Sequence, residues 1–427
     1  MEEDIQHNES VTKTPIGIEE RLEAAVDKAS KRIKYAAAHD EEIIRALAIV
    51  NDFIKKKKRV CYGGTAMNAI LPDSEKFYDP EMDLPDYDFY TPAAEKDVKD
   101  LVDMLNAAGF KDVYHKIGIH EGTQKVLVNF VPIADVSQID PELFAVLYRR
   151  SIAKDGIHYT DDNILRMMMY LELSRPKGAV DRWPKVFERL QLINKHFPIR
   201  GCTAPLPLPV PIPFETRKKV LEYVIEWKRV LCNGPTIQLY KQGIYKRKAI
   251  FRIQEGGAPV FTSPDPKIDA LALKKELGEK ITMHRHSPRG EIVPERIEVQ
   301  KDGKTVCVIV QEIACHSYNA FPTTDGRIIH IGSLEFLVTL YLSLSIFTTN
   351  AEDLLGKSIL CQVAAFIKLL NVNYRAKKSQ FPPFALECRG HQTRYESLLR
   401  EKVKRTRKER DKELGFLRKT LKRSAKK

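Results

Sequence analysis

Apolar residues recur at intervals of three and four along residues 17–58: Ile18, Leu22, Ala25 and Val26, then Ile43, Ile44, Leu47, Val50, Phe53 and Ile54. That period predicts helix. The pattern then shortens. RVCYGG (59–64) reads as a short strand entering a glycine turn, and AAEKDVKDLVDMLNAAGF (93–110) as an amphipathic helix ending near Gly109. KVLVNFVPIADVS (125–137) is β-rich and reads as a strand. YTDDNILRMMMYLELSRP (159–176) reads as a helix with Thr160 as N-cap, Asp161 and Asp162 in its first turn and Pro176 as its stop. The methionines at 167–169 read as core filling.

In CTAPLPLPVPIPFE (202–215), Pro205, Pro207, Pro209, Pro211 and Pro213 alternate with other, mostly apolar residues. Proline at every second position is incompatible with a helix or a sheet interior, so the stretch predicts an extended connector. Beyond it the chain echoes its first half. DFYTPAAEKDVKDLVDML (88–105) is paralleled by VFTSPDPKIDALALKKEL (260–277). VLVNFVPIADVS (126–137) is paralleled by VCVIVQEIACHS (306–317), and YLELS (170–174) by YLSLS (341–345), in the same order. The expected architecture is α/β: a mixed-sheet lobe duplicated, with N-terminal helices. The expected divisions are 1–58 (helical), 59–200 (first lobe), 201–225 (connector and helix start), 226–398 (second lobe) and 399–427 (basic tail).

Charge adds a partner class. Of a net +13, residues 400–427 carry +10, with 14 Lys/Arg against 4 Asp/Glu. Such an arm suits a polyanion such as RNA, and a solvated tail is the plainer alternative. IKKKKR (54–59) and YKRKAIFR (245–252) are further basic stretches able to line an RNA groove; the first can equally complement a helix C-terminus. The seven cysteines form no CxxC pair and read as reduced core thiols of a cytoplasmic protein, with zinc not expected. No apolar run is long enough for a bilayer, and MEEDIQHNES opens the chain without an apolar signal segment, so no membrane partner is expected.

The candidate chemistry lies in DLPDYDFYTP (83–92). On a strand, alternation puts Asp86 and Asp88 on one face and Tyr87 and Phe89 on the other. Two adjacent carboxylates repel unless divalent cations lie between them. Two ions roughly 3.5–4 Å apart are the arrangement used for in-line phosphoryl displacement. Asp135, ending a β-rich run, is the natural third carboxylate, as ion ligand or as acceptor of the attacking hydroxyl's proton. A lone DxD is a weak signal in a chain with 57 acidic residues. It is strengthened upstream, where Gly63, Gly64 and Thr65 lie between a strand and a helix and can present backbone N–H groups to phosphate oxygens.

Strand, GG[ST], helix, DxD, helix, strand and a third Asp together resemble the polymerase β-type nucleotidyltransferase superfamily. YGGTAMN, DYDFY and IADVS, followed by a long second lobe, are similar to the poly(A) polymerase catalytic subunits of large nucleocytoplasmic DNA viruses; these motifs cover residues 59–176. Asp86 lies 22 positions past Gly64, a longer gap than in many members. The resemblance implies a template-independent enzyme that transfers AMP from ATP to an RNA 3′ end, here in viral mRNA polyadenylation. It implies two Mg2+ or Mn2+ ions on Asp86, Asp88 and Asp135, and the triphosphate on Gly63, Gly64 and Thr65, with Lys154 as a further phosphate contact. It also implies a host-cytoplasm or virion location, and either a homodimer or a separate processivity subunit. Aligning Pro92 with Pro264 puts Ala258 and Val260 where Asp86 and Asp88 stand, and the parallel of 126–137 with 306–317 puts Cys315 in the place of Asp135, so the second lobe is expected to be catalytically empty. A CCA-adding enzyme, a uridylyl transferase or an oligoadenylate synthetase remains open on the same motifs, as does a non-catalytic RNA-binding or processivity subunit.

Overall fold

The computed structural model describes residues 17–118, 122–200, 202, 209–246, 248–290, 292–347, 355, 358–392, 400 and 404. Most of the basic tail and Pro205 and Pro207 of the connector therefore lie outside the described residues. Among the described residues the protein is a mixed α/β structure with two large sheets, a two-stranded ribbon and N-terminal helices.

The helical period of 17–58 is divided between two helices, α1 (Ile18–Ala38) and α2 (Glu41–Lys57). Asp40 caps α2 by accepting from the amides of Glu42 and Ile43. Ile43, Leu47, Val50, Phe53 and Ile54 turn inward, whereas Ile18, Leu22 and Val26 of α1 are exposed. The lysines of IKKKKR fill the last turn of α2, the cation-favouring end of the helix dipole, and Lys58 ends it in the left-handed conformation (φ 51°).

The first lobe continues with β1 (Val60–Cys61), α3 (Gly63–Ile70), β2 (Tyr87–Thr91), α4 (Ala94–Ala107), β3 (Val113–Ile117), β4 (Thr123–Val128) and β5 (Val131–Gln138). It closes with α5 (Pro141–Arg150), β6 (Ile152–Lys154), β7 (Ile157–Tyr159), α6 (Asp162–Leu173) and α7 (Trp183–His196). Its sheet order is β3-β4-β5-β2-β1-β7-β6, with β2 parallel to β5 and β1 parallel to β7. Two expectations change. The single strand expected over KVLVNFVPIADVS is a hairpin, because Asn129 and Phe130 take left-handed φ values of 50° and 66° between two hydrogen-bonded strands. Asp161, not Thr160, caps α6, since its carboxylate accepts from the amides of Asn163 and Ile164.

After β8 (Pro211–Ile212), the second lobe runs α8 (Phe214–Glu226), β9 (Val230–Leu231), α9 (Thr236–Lys246), β10 (Gly256–Gly257), β11 (Val260–Ser263), α10 (Pro266–Leu277), β12 (Ile281–His286), β13 (Arg296–Lys301) and β14 (Lys304–Gln311). Then follow β15 (His316–Pro322), β16 (Ile328–Gly332), α11 (Leu334–Phe347), α12 (Ile359–Arg375) and β17 (Cys388–Arg389). The sheet order is β12-β13-β14-β11-β9-β16-β15-β17, the first sheet's order with one added strand. Details repeat as well. Arg59 pairs with buried Asp97 at 2.6 Å, and Arg229 with buried Asp269 at 2.7 Å. Lys58 and Lys228 precede these arginines with φ values of 51° and 50°. The helices carrying YLELS and YLSLS, α6 and α11, pack on each other, and Thr339 Oγ1 donates to Met167 O across the contact. Met167 and Met169 are buried in the core as expected.

The connector contributes a strand that its prolines argued against: Pro211–Ile212 pairs with Gly256–Gly257. A two-residue ribbon tolerates this because it is all edge. The expectation of seven reduced cysteines is also corrected. Cys202–Cys361 and Cys315–Cys388 are disulfide-bonded, across 159 and 73 residues, while Cys61, Cys232 and Cys307 are free and buried. Proximity across such separations is a tertiary fact that spacing along the chain does not carry.

Candidate active site

Asp88 and Asp135 are direct partners in the parallel β2–β5 pairing, so the sheet itself holds two carboxylates side by side. Asp86 arrives differently from expectation. It precedes β2, and the Asp88 amide donates to Asp86 O at 3.1 Å, so a tight local turn rather than strand alternation brings it to the group. The electrostatics follow from the crowding. Burial and then the charges of Asp86 and Asp135 push the Asp88 carboxyl up to about 8. Asp86 is raised by burial and by Asp135, against the pull of Lys125, Lys185 and Arg189.

Gly63, at the N-terminus of α3, has a left-handed φ of 71°, and a Cβ there would lie 2.6 Å from Asp88 Oδ2. Only glycine fits that approach. It brings the free amides at the start of α3 against the carboxylates. At Gly64 a Cβ would meet the Tyr78 hydroxyl at 2.2 Å and Arg189 Nη1 at 2.9 Å. The segment between α3 and β2 therefore closes over the glycine turn. Asn68 Oδ1 accepts from the amides of Phe77 and Tyr78 and anchors it, and Arg189 lies 4.3 Å over the Phe77 ring. Thr65 Oγ1 donates to Asp86 O at 2.6 Å, which fixes the Asp86 turn against the helix.

Six of the seven candidate residues, Gly63, Gly64, Thr65, Asp86, Asp88 and Asp135, thus come together around one turn and one strand pair. Lys154 does not join them: its ammonium donates to Ala69 O at 2.8 Å, at the opposite end of α3. Four residues were not anticipated. Lys125 stands opposite Asp135 in the β4–β5 register and ion-pairs with it. Lys185 and Arg189, one turn apart on α7, act on Asp86, and Tyr78 covers Gly64. The i, i+4 spacing of Lys185 and Arg189 was readable, but nothing along the chain aimed that face of α7 at Asp86.

The oxygen donors suit a hard divalent cation, since neutralising charge is what the raised Asp86 and Asp88 carboxyls require. Among the described residues no three acidic, histidine or cysteine groups already stand as a ready-made ligand set. Asp135 is held by Lys125, which supplies the positive charge on that side.

In the second lobe the pairing Val60↔Tyr90 corresponds to Val230↔Thr262, so Asp86 and Asp88 fall on Ala258 and Val260. Val260 pairs with Val308, so the counterpart of Asp135 is Val308. The expected Cys315 is corrected: it lies past β14 and is bonded to Cys388. Both valines are fully buried. At the glycine turn, Asn233 donates to Ala258 O and accepts from the Val260 amide, each within 2.9 Å.

Residues 48–179 match the family model of the poly(A) polymerase catalytic subunit. A protein of Acanthamoeba polyphaga mimivirus, which carries that name provisionally, is 32% identical over 157 residues, 36% of this chain and 26% of its own. One of African swine fever virus (isolate Tick/Malawi/Lil 20-1/1983), named likewise, is 31% identical over 168 residues, 38% of this chain and 35% of its own. The chain thus spans about a quarter to a third of the length of these curated relatives. The crystal structure of the Megavirus polyadenylate synthase superposes with a TM-score of 0.76 at 18% identity, over 96% of this chain and 86% of that one. That likeness shows a shared fold over nearly the whole chain.

Proposed function

We propose that this chain is a template-independent poly(A) polymerase, transferring AMP from ATP to the 3′-hydroxyl of RNA. The observation that carries the reading is the Asp88–Asp135 strand pair set directly against the Gly63 turn, a phosphate-binding helix start touching paired carboxylates. The likeness over residues 48–179 supports it, because that segment holds every one of these residues.

The chain's own groups divide the work. The N-terminal amides of α3 receive triphosphate oxygens. Lys185 and Arg189 carry the charge of the departing pyrophosphate, and Tyr78 holds Arg189 over the turn, with its hydroxyl 3.4 Å from Nη2. A bond forms between the RNA 3′-oxygen and the α-phosphorus while the α–β phosphoanhydride bond breaks. Asp135, once released from Lys125, accepts the hydroxyl proton. Divalent ions held by Asp86, Asp88 and Asp135 would lower the pKa of the attacking hydroxyl and polarise the α-phosphate. The second lobe, with Ala258, Val260 and Val308 in the corresponding places, takes no part in chemistry.

The test is extension of an RNA primer with each nucleoside triphosphate supplied alone, in Mg2+ and in Mn2+. Addition restricted to ATP and lost in Asp88→Ala is expected. Equal use of other nucleotides would move the chain to another nucleotidyltransferase class, and extension that survives Asp88→Ala would remove the site.

A further inference from the structure

A cavity of about 760 Å³ lies between the end of α7, α9 and α12, lined by none of the three carboxylates. One stripe of α12 forms its wall: Ile367, Lys368, Asn371, Val372 and Arg375 recur at three and four residues. Lys377 and Lys378 follow at the rim. Lys368, Arg375, Lys377 and Lys378 are all exposed, and none takes part in the ion pairs formed among the described residues. No acidic residue lines the cavity among the described residues. The fifth cation, Arg166, is already spoken for, donating to Asn194, Asp162, Asn163 and Phe197 O, and serves as floor.

Apart from Asn194, the rest of the lining is apolar and aromatic. Ile199, Ile244 and Ile367 contribute apolar surface, and Tyr245 is 57% exposed. Tyr245 opens the basic stretch YKRKAIFR, which the active site leaves unused, and Lys248 and Arg252 of that stretch are exposed. Cations without an ion-pair partner among the described residues, beside an exposed aromatic residue and with no acid among the described lining residues, are the parts of a single-strand platform. Helix α7 links it to the carboxylates: Arg189 acts there, and Asn194 lines the cavity about 7.5 Å farther along the axis.

We propose that this cavity binds a single-stranded stretch of RNA behind its growing 3′ end, with phosphates on Lys368, Arg375, Lys377 and Lys378 and a base stacked on Tyr245. The inference rests on the polymerase reading for its choice of polynucleotide, but its test does not require catalysis. Fluorescein-labelled oligoadenylate is titrated by anisotropy in EDTA, where no extension occurs, over a range of salt. Lys368→Glu combined with Lys377→Glu weakens binding about tenfold or more and flattens the salt slope by roughly 1.4, or about 0.7 per lost phosphate contact. Tyr245→Ala weakens binding at least about fivefold, and Tyr245→Phe restores it. In extension assays the same variants raise the KM for long primers and leave the KM for ATP unchanged. Unchanged oligoadenylate affinity and salt slope in the double reversal, with an unaltered melting curve, would overturn the proposal. So would variants that raise the KM for ATP and spare RNA affinity, because the cavity would then be a mononucleotide site. A wild-type protein that extends no primer would remove the polymerase reading and leave this binding comparison to stand or fall by itself.

Discussion

Replacing Asp88 with Asn removes a charge that the folded protein tolerates poorly. Burial and the charges of Asp86 and Asp135 push its carboxyl from the ordinary 3.8 of the unfolded chain up to about 8 in the folded one. Between those values the folded protein keeps a proton that the unfolded chain has released. Stability therefore falls as pH rises through this window and levels off above about 8. At about 1.36 kcal/mol per pH unit the full window sets a ceiling of about 6 kcal/mol. Partial exposure and relaxation around the group reduce the expected loss to about 1–3 kcal/mol. Asp88→Asn lacks this term, so in EDTA the variant gains on wild type by that amount between pH 5 and 9. For 427 residues the usual unfolding entropy makes 1 kcal/mol worth about 1 °C, so thermal midpoints should diverge by about 1–3 °C. Adding Mg2+ or Mn2+ at pH 8–9 should return the stability to wild type and do little for Asp88→Asn, since the ion takes over the neutralising role of the proton. Parallel pH profiles for the two proteins in EDTA, or equal cation stabilisation of both, would refute the claim that Asp88 lies in a crowded, cation-seeking carboxylate group.

The remaining expectations are more direct. Gly63→Ala forces a side chain into a left-handed turn and against Asp88 Oδ2, so primer extension should drop at least about a hundredfold, with a stability loss of about 1–3 kcal/mol in urea titration. Arg217 is 2% exposed, its guanidinium donates to Gly257 O at 3.1 Å, and it has no carboxylate partner among the described residues; Arg217→Met should stabilise the protein by about 1–3 kcal/mol, and a loss of that size would contradict the idea of an unpaired buried charge. Arg229→Ala strands the buried Asp269 carboxylate and should cost about 3–5 kcal/mol, as should Arg59→Ala at the matching place in the first lobe; near-neutral values in denaturant titration would contradict both ion pairs. Thiol titration should find no reactive cysteine in the native protein and three after unfolding without reductant, while seven would disprove both disulfides.

What the chain order alone carried was local. The core face of α2, the glycine turn, the carboxylate pair in DYDFY and the like placement of α4 and α10 behind prolines all follow from short periods and neighbouring residues. The missed hairpin was local too, but its turn uses Asn129 and Phe130 in place of the usual glycine, so the signal was weak. Tertiary structure decided everything that depends on which distant segments share a surface. Strand pairing set Asp88 beside Asp135 and identified Val308, not Cys315, as the matching position in the second lobe. Packing of α7 aimed Lys185 and Arg189 at Asp86, the placement of β6 left Lys154 at the far end of α3, and the fold joined cysteines 159 residues apart. Spacing of a few residues governs which side chains share a helix face or strand face. The approach of two segments is governed by the burial they achieve together, which no short window of sequence contains.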